Sequence, residues 1–425
     1  MHVLVVHNRY SSAQPSGENR VVDEEVGLLR AAGHRVEVFE RRSDDIAARS
    51  LLSKAAVPLL VPWNPSVRTE LAARLRDHRA DVVHVHNVFP LLSPAVLAAC
   101  ADAGVPVVAT LHNYTQVCPP GTLHRDGRAC TECVGTATSL PAVRHGCYRN
   151  SRLATVPLAV SLAVNRRRWW SGVERFLCIS AAQRDVLVRS GMPAERLTVK
   201  HNFVPDPGVG RKDDGEHLLF LGRLAEAKGV PLLMAAWDEI AAGGGLGVPL
   251  VIAGAGPLER EVTAWAAGRD DVRYVGLYDP EQCREAVARS VAVVAPSMAR
   301  ETFGLVVAEA MAAGVPAVAA AHGGFVELVE DGETGLLHRP GDAAELASRL
   351  RRIAADPARN REMGEAARRR YEDHFSPSVG LRRLEEEYRA ATAGRSGDGE
   401  VPSPTRETST GSRRETGVSG DGGSR

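Results

Sequence analysis

Several things are missing from this chain, and each absence excludes something. Across 425 residues no apolar run reaches the roughly 18 residues that a membrane-spanning helix needs. The opening MHVLVVHNRY has an apolar run too short for a secretory leader and continues into polar chain, not a small-residue cleavage site. It reads as a first core strand. Neither sign of charge is in excess: 52 Lys and Arg balance 52 Asp and Glu, so nothing points to nucleic acid as a partner. Cysteine is scarce, seven in all, and without a leader this implies a reducing compartment with free or metal-bound thiols. The expected location is the cytoplasm.

What is present is an alternation of apolar β-branched runs with segments of helical period, over a length that suits two domains. Val3–Val6 reads as a strand, followed by the polar loop YSSAQPSGENR. Next come a helix with Val22, Val26 and Leu29 on one face, ending at Gly33, and a strand from His34 to Phe39. This β-α-β unit puts Gly17 where α/β sheets bind ligands, with no side chain to hold a ligand off the backbone. The runs 81–86 (DVVHVH) and 105–111 (VPVVATL) are two more buried strands, the second ending in His112, at the strand end that faces a cleft. His84 and His86 occupy alternate positions on their strand, and at most one of them is expected to face that cleft.

Residues 115–150 form a glycine-dotted insertion holding Cys118, Cys130, Cys133 and Cys147. A C-x2-C pair flanked by two more thiols suits a structural zinc ion, against four reduced cysteines packed as small hydrophobes. Val156–Trp170 is a helix with an apolar first half and a basic, aromatic end, Arg166–Arg168 with Trp169 and Trp170. That end suits peripheral contact with an anionic membrane surface, or a core helix whose solvated C-terminus complements the dipole.

Val204–Glu216 has linker composition, and a second α/β unit opens with HLLFLGRLAEAKGV. Its Arg223 and Lys228 are a planar fork and a point charge placed to meet a diphosphate. The most informative stretch is PSMARETFGLVVAEAMAAGVPAVAAAHGGFVE, Pro296–Glu327. Its helix is apolar apart from Glu309, a carboxylate that needs hydrogen-bond donors if it is buried. Glu301 lies eight residues earlier, and between the two is a helix N-terminus suited to phosphate. Sugar hydroxyls and phosphate together describe a nucleotide sugar. From Gly394 onward the composition is that of a disordered tail.

The pattern P-S-x-x-x-E-x-F-G-L-x-x-x-E-A-M-A-x-G-x-P resembles the donor-binding signature of retaining glycosyltransferase family 4, and G-R-x4-K-G resembles that family's diphosphate clamp. P-S-G-E-N resembles its glycine-rich first loop, with Ser16 in place of the first glycine, and Asn202–Pro205 departs from the usual N-G-V-D. The cysteine insertion resembles one in a subgroup linked to surface polysaccharides. The resemblance covers residues 1–392 and implies a GT-B fold: two Rossmann-like, doubly wound domains (1–204 on the acceptor side, 205–376 for the nucleotide sugar) facing across a cleft. A helix at 377–392 packs back on the first domain, and 393–425 is the tail. The implied activity is hexosyl transfer from a UDP- or GDP-sugar to a hydroxyl acceptor, with retention, in polysaccharide or glycolipid assembly. A nucleotide-sugar epimerase and glycosylation of a secondary metabolite are the alternatives. By resemblance, His112 contacts the transferred sugar, Glu301 holds its hydroxyls, Glu309 holds the ribose, and Gly17, Phe303, Gly304 and Leu305 complete the donor site with Arg223 and Lys228. No Asp-x-Asp triplet occurs, in keeping with cationic side chains in place of a catalytic metal. A lipid-linked acceptor would place the enzyme at the inner face of the membrane.

Overall fold

The structure, a computed structural model, describes residues 1–12, 16–48, 50–211 and 213–396. Its first lobe is built on β1 (His2–Arg9), β2 (Arg35–Arg42), β3 (Val82–Val85) and β4 (Val107–Leu111). A small antiparallel hairpin, β5 (His124–Arg125) with β6 (Arg128–Ala129), lies in the insertion, and β7 (Arg175–Cys178) and β8 (Leu197–Val199) finish the lobe. The second lobe uses β9 (His217–Leu221), β10 (Leu250–Ala253), β11 (Val272–Gly276), β12 (Ser290–Ala295), β13 (Ala317–Ala320) and β14 (Gly335–His338). Each lobe holds one six-stranded parallel sheet, in the orders β2-β1-β3-β4-β7-β8 and β11-β10-β9-β12-β13-β14. The central strands β3, β4 and β12 are buried along their whole length, as parallel strands covered by helices on both faces must be.

The second sheet runs outward in both directions from β9, the order of dinucleotide-binding sheets. Its switch point lies between β9 and β12, so the loops leaving those two strands open the crevice where a ligand binds. In the first sheet the corresponding split is between β1 and β3.

Local chemistry shifts some boundaries from their expected places. The first helix begins at Gly17, because the Ser16 hydroxyl caps it by accepting the N–H of Asn19; Gly17 is therefore its first residue and not part of a loop. Pro15 lies outside the described residues. The last helix spans Pro377–Ser396, past the expected stop at 392, and the tail beyond it lies outside the described residues. This helix crosses back to the first lobe, where Leu384, Tyr388 and Ala391 pack among Val3, Val5, Val22 and Leu29. Full burial of such large side chains contributes roughly 1.5–3 kcal/mol each.

One other reading is corrected. Trp169 is not at the surface: it is buried in the first lobe's core with Trp170 packed beside it, while Arg166 stacks on Trp170 at 4.0 Å. The apolar residues of the Arg152–Gly172 helix surround its whole circumference, so the sequence did not show which face turns inward. His84 and His86, two positions apart, lie on one side of the chain with their rings 4.1 Å apart; His84 is bonded inward to Tyr388 and Thr110, while His86 meets His112.

Candidate active site

The second lobe supplies two adjoining loops. After β9 the chain passes Arg223 and makes a tight turn over Glu226–Lys228 into Gly229, whose φ is 75°. A Cβ at Gly229 would lie 2.0 Å from the Pro296 carbonyl oxygen, so only glycine lets this turn approach the loop after β12. The N–H groups of Met298 and Ala299 both donate to the Ala227 carbonyl at 3.0 Å, joining the two loops. The join places Lys228 Nζ 2.6 Å from Glu301 Oε1, which also accepts the Ser297 hydroxyl at 2.7 Å. Burial pushes the Glu301 carboxyl up, but the Lys228 charge and these hydrogen bonds outweigh it and hold the group below its ordinary value. Arg223 is exposed and makes no side-chain hydrogen bond or ion pair among the described residues.

From Glu301 the chain runs through buried Phe303 to Gly304, the N-cap of the Leu305–Ala312 helix. No side chain caps this helix, so its first N–H groups and the positive end of its dipole are open to an anion. Glu309, one turn on, is ion-paired with Arg20 of the first lobe. Gly17 is the other contact across the crevice: a Cβ there would lie 2.8 Å from Leu305 Cδ1. Arg223, Lys228, Glu301, Phe303, Gly304, Leu305 and Glu309 thus share one pair of adjoining strand ends, and Gly17 meets them from the opposite lobe. Glu327 reaches the first lobe: it accepts the N–H groups of Ala181 and Ala182 at 2.8 Å and contacts His201 at 3.0 Å.

The first lobe contributes His112 at the end of β4. Its Nε2 is 2.9 Å from His86 Nδ1, and its carbonyl accepts the Thr302 hydroxyl from across the crevice at 2.9 Å. Burial brings His112 down to about 3, so the imidazole is neutral at physiological pH. Behind it lies a buried ionic centre that the motifs did not reveal. Lys200 Nζ is 2.5 Å from Glu25 Oε2, His84 Nδ1 is 3.1 Å from the other Glu25 oxygen, and the Tyr388 hydroxyl is 2.7 Å from His84 Nδ1. The available signal was Glu25 itself, a carboxylate beside Val22, Val26 and Leu29 on the apolar face of its helix. Burial alone would raise Glu25, yet the Lys200 charge and His84 hold it well below the usual carboxylate range. Glu25, His84 and His86 are the described residues that group as metal ligands would. The Lys200 ammonium already holds the position a cation would take, and the second His84 nitrogen is spent on Thr110. The trio is an internal ion-pair network. Glu18 was also missed as a site residue: it sits beside Asn113 Nδ2 at 3.4 Å, and burial raises its carboxyl to about 8.

The four insertion thiols are free, Cys118 and Cys133 buried and Cys130 and Cys147 half-exposed. Burial raises the Cys118 thiol, against the N–H groups of Leu123, Gly121 and Thr122 directed at its sulfur. The sulfurs lie near enough to raise one another's thiol pKa, but three or more of them do not gather within 4.8 Å.

Comparison with known proteins adds the following. Residues 15–206 match the family model described as Glycosyltransferase Family 4, and residues 206–370 match Glycosyl transferases group 1. A phosphatidyl-myo-inositol mannosyltransferase of Mycobacterium leprae is 28% identical over 80% of this chain and 84% of its own length. A glycogen synthase of Mycobacterium tuberculosis is 27% identical over 88% of this chain and 91% of its own. The crystal structure of Anabaena HepE in complex with UDP superposes with a TM-score of 0.62 at 20% identity, covering 92% of this chain and all of that one.

Proposed function

The chain belongs to the family 4 glycosyltransferases and has their two-lobed GT-B fold, and on that premise we propose that it moves a hexosyl residue from a nucleotide diphosphate sugar to an acceptor hydroxyl, with retention. The observation that carries this is the placement of Arg223 and Lys228, at the switch point of the second sheet, beside an uncapped helix N-terminus and two glutamates. UDP- or GDP-sugar fits as donor. The Leu305–Ala312 helix N-terminus and the two cations hold the diphosphate, Glu309 the ribose, and Glu301 the hydroxyls of the sugar, which neutral His112 also contacts. As the bond between the anomeric carbon and the phosphate oxygen breaks, Arg223 and Lys228 stabilise the charge gathering on the diphosphate. The departing oxygen takes the acceptor's proton on the same face as the new carbon–oxygen bond forms. No metal takes part in this transfer. An acceptor in polysaccharide or glycolipid assembly fits the reading, since one relative is named for a lipid and another for a glucan.

The test is calorimetry with UDP, GDP, ADP and their sugar conjugates, with EDTA present. Selective binding of one nucleotide, lost in Arg223→Ala, supports the reading; no binding to any of them sinks it. We assign a structural zinc to Cys118, Cys130, Cys133 and Cys147, supported by the N–H groups aimed at Cys118 and by the donor chemistry of four thiols. The sulfurs would have to draw closer to hold it. Elemental analysis of purified protein should give one zinc per chain, released with a fall in Tm on chelation; protein without metal ends that assignment.

A further inference from the structure

The first lobe exposes far more large apolar surface in one region than elsewhere. On the Leu51–Leu60 helix, Leu51, Leu52 and Leu59 are 84%, 85% and 78% exposed, and on the Arg152–Gly172 helix Leu153 is 86% exposed. Val160 and Val164 continue from Leu153 along one outward stripe of the second helix. The two helices are joined: the buried side of the longer one holds the chain just after the shorter one, with Ser161 Oγ donating to the Val61 carbonyl at 3.3 Å and Asn165 Nδ2 to the Pro62 carbonyl at 2.9 Å. Scattered exposed leucines need no explanation, but a contiguous apolar face on two adjoining helices marks an interaction surface.

The two segments that carry this face hold charge of one sign. The chain as a whole is neutral, yet residues 46–69 and 133–173 contain no Asp or Glu. Lys54, Arg144, Arg149, Arg152 and Arg167 belong to these stretches and make no ion pair among the described residues, although Arg68 pairs with Asp102; arginines elsewhere are widely paired. Topology sets the direction of the face. A parallel strand runs toward the cleft, and the helix after it starts at that rim and runs back. The Arg152–Gly172 helix leads into β7, so its Arg152–Leu153 end lies at the cleft edge of the lobe.

We propose that this face, the outer side of the 51–60 and 152–172 helices, docks the enzyme on an anionic phospholipid surface. The leucines and valines enter the headgroup boundary while Lys54, Arg149, Arg152 and Arg167 meet lipid phosphates. No described helix is long and apolar enough to cross a membrane, so the attachment is to one surface. The cleft mouth then lies beside the bilayer, where an acceptor hydroxyl on a lipid carrier can reach it. The docking face does not depend on the transfer chemistry and is tested without turnover.

The experiment is co-sedimentation of the full chain with phosphatidylcholine vesicles, with and without phosphatidylglycerol. The expected result is binding to the anionic vesicles only, weakened by salt. Arg149→Gln with Arg152→Gln should lower partitioning roughly 30-fold, and Leu153→Glu with Val160→Glu should abolish it, with unchanged Tm and unchanged UDP or GDP binding. Protein left in the supernatant with anionic vesicles overturns the proposal, as does partitioning indifferent to both double variants. So does a dimer in sedimentation velocity that Leu153→Glu dissolves without any vesicle binding, which would assign the face to a second copy of the chain.

Discussion

At the scale of single residues, the crevice sets cations against carboxylates that have other uses. Lys228 is held by Glu301, and removing it takes away one of two charges facing the diphosphate. Lys228→Ala should lower kcat roughly 10² to 10³-fold, as initial rates at saturating donor will show, while far-ultraviolet circular dichroism stays that of the parent. The histidines give a stability prediction with a definite sign. Burial lowers His7 from 6.5 to about 4 and His112 to about 3, so the unfolded chain binds more protons than the native one between those values and 6.5. Their contribution is complete above pH 6.5 and is lost as pH falls toward the folded values, by about 1.4 kcal/mol per pH unit for each histidine. Glu18, raised to about 8, works in the opposite sense over the same range, so the histidines are read one by one: the His7 and His112 ring resonances should hold still from pH 7 down to pH 5, and a midpoint near 6.5 would mean that these rings are not buried and neutral. The residues named for the donor were legible because their spacing sits within short loops. Their partners were not. Arg20 meets Glu309 across 289 positions of sequence and Tyr388 meets His84 across 304, and no local pattern encodes such pairings.

At the scale of elements, strands were legible as apolar β-branched runs because parallel strands are buried on both faces. The Arg152–Gly172 helix was misread because apolar residues on all sides leave its inward face undetermined, so the tryptophans looked like the surface and the valines like the core. The turn that carries Lys228 illustrates how one residue sets the distance between two elements. Gly229→Ala puts a Cβ into the Pro296 carbonyl at a positive φ. It should cost at least about 1–3 kcal/mol of stability by thermal or denaturant melting, and more in donor affinity, because the Lys228 loop must move away from Glu301. Donor affinity equal to the parent's would show that the two loops need not touch.

At the scale of the whole molecule, the lobes are tied by more than the linker. Glu327 of the second lobe caps the Ala181–Arg189 helix of the first, the Tyr371 hydroxyl donates to the Val204 carbonyl at 3.0 Å, and Ile179 packs in one cluster with Phe303 and Phe375. The Pro377–Ser396 helix adds a further tie. Leu384→Ala should cost roughly 2–5 kcal/mol and Tyr388→Phe roughly 0.5–1.5 kcal/mol, both read from urea melts followed by tryptophan fluorescence. The chain order of that tie has a consequence for biosynthesis. The strands and helix that it covers, Val3, Val5, Val22 and Leu29 among them, leave the ribosome first, and Leu384 and Tyr388 follow some 355 residues later (384 − 29). At ~5–20 residues per second the nascent first lobe waits roughly 20–70 s for its cover. During that interval it presents an apolar strip that chaperones and other nascent chains can bind, and a message truncated before codon 377 would yield a lobe that never closes.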